Sequence, residues 1–127
     1  MAKAAPHVTE AEFAVLTALW DEGQRSAREL TERLYPPCTP GDVATVQKLL
    51  QRLEKKGLVL RDRAERVHRF AAATPREKFA GQQLTQMAEK LSGGSLTPLL
   101  VHLVENNRLS RREIDELRVL LESRPRR

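Results

Sequence analysis

A chain of 127 residues is long enough for one domain, or for a small domain with an appendage, around one moderate core, whereas catalytic clefts are usually built on more chain. The hydrophobic fraction of 40% beside 31% charged residues is that of a soluble globular protein, and 4% aromatic content argues against an aromatic-lined pocket or a base-stacking platform. The net charge of +5 is unevenly spread: residues 1–47 hold four Lys/Arg against seven Asp/Glu, residues 48–69 eight against three, and residues 70–127 ten against seven. A basic cluster after an acidic start suggests a surface that faces a polyanion.

Helix starts are marked by a recurring Ser/Thr-x-x-Glu/Asp capping box, in which an N-cap hydroxyl accepts an orphan backbone N–H and the third residue's carboxylate reaches back. Thr9 with Glu12 opens a first helix, with Phe13, Leu16, Leu19 and Trp20 facing inward and Gly23 ending it in the left-handed conformation. Ser26 with Glu29 opens a short second helix, Leu30 and Leu34 inward, stopped by Pro36-Pro37. Thr39 with Asp42, and Pro40 at the first helical position, open a third helix that runs through Lys56 and closes at Gly57. The second and third helices are spaced as a helix-turn-helix.

In the third helix Val46, Leu49, Leu50 and Leu53 form the apolar stripe. The other face carries Thr45, Gln47, Lys48, Gln51, Arg52, Lys55 and Lys56, donors and positive charge broken only by Glu54. After Gly57 the period shortens. Leu58–Asp62 and Val67–Ala72, on either side of Arg63-Ala64-Glu65-Arg66, read as a two-stranded ribbon that packs through Leu58, Leu60 and Phe70. Three helices and such a ribbon make a winged helix.

Thr74-Pro75-Arg76-Glu77 starts a fourth helix whose Ala80, Leu84, Met87 and Leu91 form a coiled-coil-like seam, broken at Ser92-Gly93-Gly94-Ser95. Leu96–Val104 and, after Ser110 with Glu113, Ile114–Leu121 give two more helices, with Leu99, Leu100, Leu103 and Val104, and Ile114, Leu117, Leu120 and Leu121, as apolar faces. The tail Arg124-Pro125-Arg126-Arg127 is expected to be disordered. Residues 74–127 carry too few apolar side chains to order that much chain alone, which favours sharing those faces with a second copy. The expected fold is mainly α with a small β-ribbon: a winged-helix DNA-binding domain over 1–73, then a helical dimerisation domain over 74–127.

A major-groove reader needs short or flexible donors near the start of its helix and cations beside it. Asp42, Ala44, Thr45, Gln47 and Lys48 occupy the first turns, with Gln51 and Arg52 one turn on. Gln47 suits adenine, Lys48 guanine or phosphate, and Thr45 phosphate or a thymine methyl. Arg61, Arg63, Arg66 and Arg69 fall on or beside the wing, where a ribbon follows the backbone or the minor groove. The dimerisation candidates are Leu84, Met87, Leu91, Leu99, Leu103, Ile114, Leu117 and Leu121.

Other classes fare worse. Ser26, His68 and Asp62 make a triad only on paper, and no glycine-rich phosphate loop exists, so no enzyme is expected. Three scattered histidines, His7, His68 and His102, have no metal-ligand spacing, and Cys38 reads as a free loop thiol, so neither metal nor cofactor is expected. No stretch reaches the ~20 apolar residues of a membrane span and the start MAKAAPHV lacks a signal-peptide run, so a cytoplasmic protein without membrane insertion is expected. A winged helix that binds proteins and never touches DNA is the alternative.

The stretches TEAEFAVLTALWDEG, SARELTERL, TVQKLLQRLEKKGLV, RVHRFAAATPRE and EIDELRVLLE resemble the BlaI/MecI/CopY family of bacterial repressors, also called penicillinase repressors, from Thr9 to Ser123. The resemblance implies a winged-helix homodimer that represses transcription from a palindromic operator. It places Thr45, Gln47, Lys48 and Arg52 on the family's DNA-contacting helix, and Arg63 and Arg66 on its wing. Copper-responsive members carry paired cysteines near the C-terminus, which this chain lacks. Members tied to antibiotic response are released when a membrane sensor-protease leads to a cut in the dimerisation helices, between Asn and Phe in the best known members. Alignment puts His102-Leu103 at that bond.

Overall fold

The computed structural model describes residues 6–125. The elements run α1 (Glu10–Glu22), β1 (Arg25–Ser26), α2 (Ala27–Leu34), α3 (Pro40–Lys55), β2 (Val59–Asp62), β3 (Arg69–Ala72), α4 (Arg76–Ser92), α5 (Thr97–Glu105) and α6 (Arg111–Ser123). The described residues form two units that meet in sequence between Gln83 and Leu84, so the division falls within α4, whereas the sequence reading set it at 73/74. Arg126 and Arg127 of the tail, like residues 1–5, lie outside the described residues.

Four of the five expected capping boxes close in both directions, at Thr9/Glu12, Ser26/Glu29, Thr39/Asp42 and Ser110/Glu113. The fifth does not form. The first helical bond of α4 runs from Phe79 N–H to the Pro75 carbonyl, one residue later than expected, and the Thr74 carbonyl instead accepts the Trp20 indole N–H at 2.8 Å. Gly23 ends α1 at φ 80, ψ −157, not left-handed helical but in a region that essentially only glycine enters.

The core of the first unit is Val15, Leu16, Ala18 and Leu19 of α1, Leu30 of α2, Val46, Leu49, Leu50 and Leu53 of α3, with Leu58, Val59, Phe70 and Phe79 closing it. Two inward assignments need correction. Phe13 is 46% exposed, its ring packed from the solvent side 5.9 Å from that of Trp20 and 6.3 Å from that of Phe79. Leu60 is 63% exposed, while Val59 is buried. The reason lies at the end of α3, where Leu58 N–H bonds the Leu53 carbonyl and Gly57 N–H the Glu54 carbonyl, a Schellman motif with Gly57 at φ 78. Leu58 therefore belongs to the helix cap, and strand alternation starts at Val59.

The sheet has three antiparallel strands in the order β1-β3-β2, with Val59 opposite Ala72 and Asp62 opposite Arg69. The third strand, β1, pairs Arg25 with Phe70 and Ser26 with Arg69 and was not anticipated. It anchors the ribbon to the start of α2.

Within the second unit the apolar side chains are little covered: Leu84, Met87 and Leu91 of α4 are 47%, 52% and 64% exposed. Ala88 is the one buried apolar residue among the described residues of that unit.

Candidate nucleic-acid interface

The 16-residue α3 is divided cleanly by burial. Val46, Leu49, Leu50 and Leu53 face the core, and Ala44, Thr45, Gln47, Lys48, Gln51 and Arg52 are exposed. The N-terminus of the helix is fixed by Thr39, whose hydroxyl accepts Asp42 N–H at 3.1 Å while Asp42 accepts Thr39 N–H at 3.0 Å. The Thr45 hydroxyl donates to the Gly41 carbonyl at 3.0 Å, so its proton is already engaged inside the helix.

Lys56 is not on this face. Its ammonium donates to both carboxylate oxygens of Glu12, at 2.7 and 3.0 Å, and to the His7 carbonyl at 2.7 Å. Glu12 is fully buried and also accepts Thr9 N–H. Burial pushes its pKa up, but the hydrogen bonds from Lys56 and the Thr9 backbone outweigh that and hold it below the usual carboxylate range. The pair ties the start of α1 to the end of α3, where the sequence pattern alone placed an exposed lysine.

The wing turn lacks glycine, and Asp62 supplies the geometry instead: its carboxylate accepts Ala64 N–H at 2.8 Å, an Asx turn. Glu54 of α3 receives Arg61 at 3.1 Å and Arg63 at 3.5 Å. The Arg61 side chain is 19% exposed, its guanidinium lies 4.9 Å from the Phe70 ring centroid, and its Nε has no hydrogen-bond partner. It braces the wing against α3. Arg63 is 60% exposed and Arg66 is exposed. Arg69 pairs with Glu29 at 3.3 Å and donates to the Gln24 carbonyl, joining β3 to the start of α2.

Between α2, α3 and the wing lies a groove of about 420 Å³. Gln47 and Gln51 of α3, Arg61 and Arg66, and also Arg28 and His68, line it. Sequence reasoning assigned no nucleic-acid role to Arg28 or His68, because only the folded chain brings the first turn of α2 beside the wing. Ser26 is occupied as the α2 cap and Asp62 in the wing turn, which leaves nothing of the paper triad. Among the described residues no group of three or more His, Cys, Asp or Glu is placed to hold a metal ion.

In the second unit, Leu100, Val104, Ile114, Leu117 and Leu121 line an apolar hollow of about 340 Å³ between α5 and α6. Leu99 and Ile114 are half-buried, while Leu103, Leu117 and Leu121 are 38%, 42% and 69% exposed. His102 and Leu103 both lie on the surface of α5, where the His102 carbonyl accepts from the Asn106 amide. No described helix is long and apolar enough to cross a membrane.

A helix-turn-helix followed by a hairpin, with the second helix turning a polar, cationic face outward, defines a winged-helix protein. The chain belongs to the penicillinase repressor family, the BlaI/MecI group of transcriptional regulators, whose family model matches residues 8–123. The transcriptional regulator BlaI of Mycobacterium tuberculosis is 38% identical over 84% of this chain and 77% of its own. The penicillinase repressor of Staphylococcus aureus is 26% identical over 95% of each chain. Among solved structures, a MarR family protein from Bacillus stearothermophilus is a loose match, TM-score 0.47 at 24% identity over 93% of this chain and 78% of that one.

Proposed function

We propose that this protein is a homodimeric transcriptional repressor, which binds a palindromic DNA operator by setting α3 into the major groove of each half-site and laying the wing along the backbone. The observation that carries the reading is the outward face of α3, where Thr45, Gln47, Lys48, Gln51 and Arg52 stand exposed above a core-facing stripe, with Arg63 and Arg66 on the adjoining wing. The names of the relatives, a penicillinase repressor and the regulator BlaI, support the same role. Gln47 and Lys48 would address base edges, and Arg52, Arg63 and Arg66 phosphates. Arg61 contributes by holding the wing.

Dimerisation rests on the second unit, whose helices leave Leu84, Met87, Leu91, Leu103, Leu117 and Leu121 open to water. So many exposed large apolar side chains on three short helices mark an interaction site, and a palindrome needs two linked readers ~34 Å apart. Release of the operator is proposed to pass through α5, by a cut at His102-Leu103 or by a partner such as a membrane sensor-protease separating the dimer. Both residues are exposed, and the preceding Gly93 and Gly94 both have positive φ.

The test is sedimentation of the full chain combined with footprinting on its own upstream region. A dimer protecting two symmetric half-sites is the expected result. A monomer, or binding that shows no sequence preference at any salt concentration, would overturn the reading.

A further inference from the structure

We propose that Arg28 of α2 and Arg66 of the wing hold one backbone phosphate of the bound duplex in the groove beside α3, a contact that fixes the depth and angle at which α3 enters the DNA. The inference rests on the repressor reading and adds to it a phosphate seat that includes a residue outside the reading helix and the wing.

Charge balance singles out these two side chains. Of the three arginines that line the groove, Arg61 is paired with Glu54. Arg28 and Arg66 both line the groove, and neither has an ion-pair partner among the described residues. Two unpaired guanidiniums from different elements, opening into one groove, suit an anion with several acceptor oxygens, which each can bind through paired N–H donors.

Its volume of about 420 Å³ is that of a small-ligand cleft and accommodates the phosphate and sugar of one nucleotide. Gln47 and Gln51 line the same groove from α3, so an anion seated there lies alongside the helix proposed to read bases. That position favours a strand of the duplex over a free anion, because contacts to phosphates are what set the register of a reading helix.

The experiment uses the full chain and operator duplexes in which one phosphate at a time is replaced by a neutral methylphosphonate, with wild type, Arg28→Ala, Arg66→Ala and the double variant. Arg28→Ala is expected to flatten the dependence of log affinity on log salt by about two per dimer, so that the loss of affinity between about 50 and 200 mM salt is ~10-fold smaller, with base preferences unchanged. One methylphosphonate position per half-site should weaken wild type, weaken Arg28→Ala and Arg66→Ala less, and have no further effect in the variant that lacks both arginines. An unchanged salt slope in Arg28→Ala, or coupling of the two variants to different phosphates, would overturn the assignment. So would sub-millimolar binding of inorganic phosphate to the free protein with operator affinity intact in Arg28→Ala, since that would make the groove a site for a free anion. Failure of the wild type to bind any duplex would overturn the repressor reading itself, whereas normal wild-type binding with an inert Arg28→Ala overturns only the phosphate seat.

Discussion

The Glu12–Lys56 pair makes a prediction that separates structure from recognition on a helix where both are at work. Lys56→Met keeps most of the aliphatic stem and removes the ammonium that bonds both Glu12 oxygens at 2.7 and 3.0 Å. Glu12, with no exposed surface, is then a buried carboxylate held only by Thr9 N–H at 2.9 Å. Breaking a buried ion pair costs about 3–5 kcal/mol in general, but water already reaches the Lys56 side chain, which is 29% exposed, so about 2–3 kcal/mol is expected. At roughly 4 °C per kcal/mol for a domain of this size, the melting temperature should fall by about 8–12 °C.

The assay is thermal and urea unfolding of wild type, Lys56→Met, Glu12→Gln and the double variant at one fixed protein concentration, because dimerisation would make melting depend on concentration. The double variant should recover part of the loss, since neither charge is then left buried alone. Glu12 also sets an acid limit. Its folded-state pKa is depressed, so its contribution is complete above the unfolded value and is lost as pH falls through the folded one, below the usual carboxylate range. Glu12→Gln should flatten that acid limb. Single variants that each lose under about 0.5 kcal/mol, or a double variant that simply adds them, would refute the idea that this pair locks α1 to α3.

Gln47→Ala should relax sequence preference by ~1–3 kcal/mol at one base pair per half-site, whereas Arg63→Ala should weaken all sequences alike and flatten the salt dependence by about two per dimer. Identical binding profiles for the two would sink that division of labour. Leu84→Asp or Leu117→Asp should give folded monomers with weak operator binding in sedimentation and gel-shift measurements, and dimers that persist with either would place the interface elsewhere. Phe79→Ala removes a ring 5% exposed and 5.5 Å from the Trp20 ring, and should cost about 3–5 kcal/mol with a changed Trp20 emission, unless the aromatic cluster is dispensable.

The helices were legible because their starts are written in short local motifs: four reciprocal boxes close as the spacing demands. The reading face of α3 was legible for a related reason, since 3.6-residue periodicity fixes which side meets the core. What escaped were features set by distant partners. The two-residue β1 is too short to show any period, and it exists because β3 offers it an edge. Leu60 was misassigned because the strand's parity is set by the cap at Leu58. Lys56, indistinguishable in sequence from Lys55, turns inward because Glu12, far away in the chain, waits there unpaired without it. Arg28 and His68 enter the groove only once α2 and the wing are folded together.

The position of Glu54, between Arg61 and Arg63, bears on how such a protein would find its target in a genome. An acid held at 3.1 and 3.5 Å from two wing cations cancels part of the positive potential that any stretch of DNA would feel, whatever its sequence. Sequence-independent attraction is what detains a regulator on the vast excess of wrong sites, so a built-in counter-charge shortens each futile stop. On the proposed reading, Arg63, only loosely paired and largely exposed, is free to leave Glu54 for a phosphate when the correct half-site brings one into place, while Arg61 keeps the wing upright.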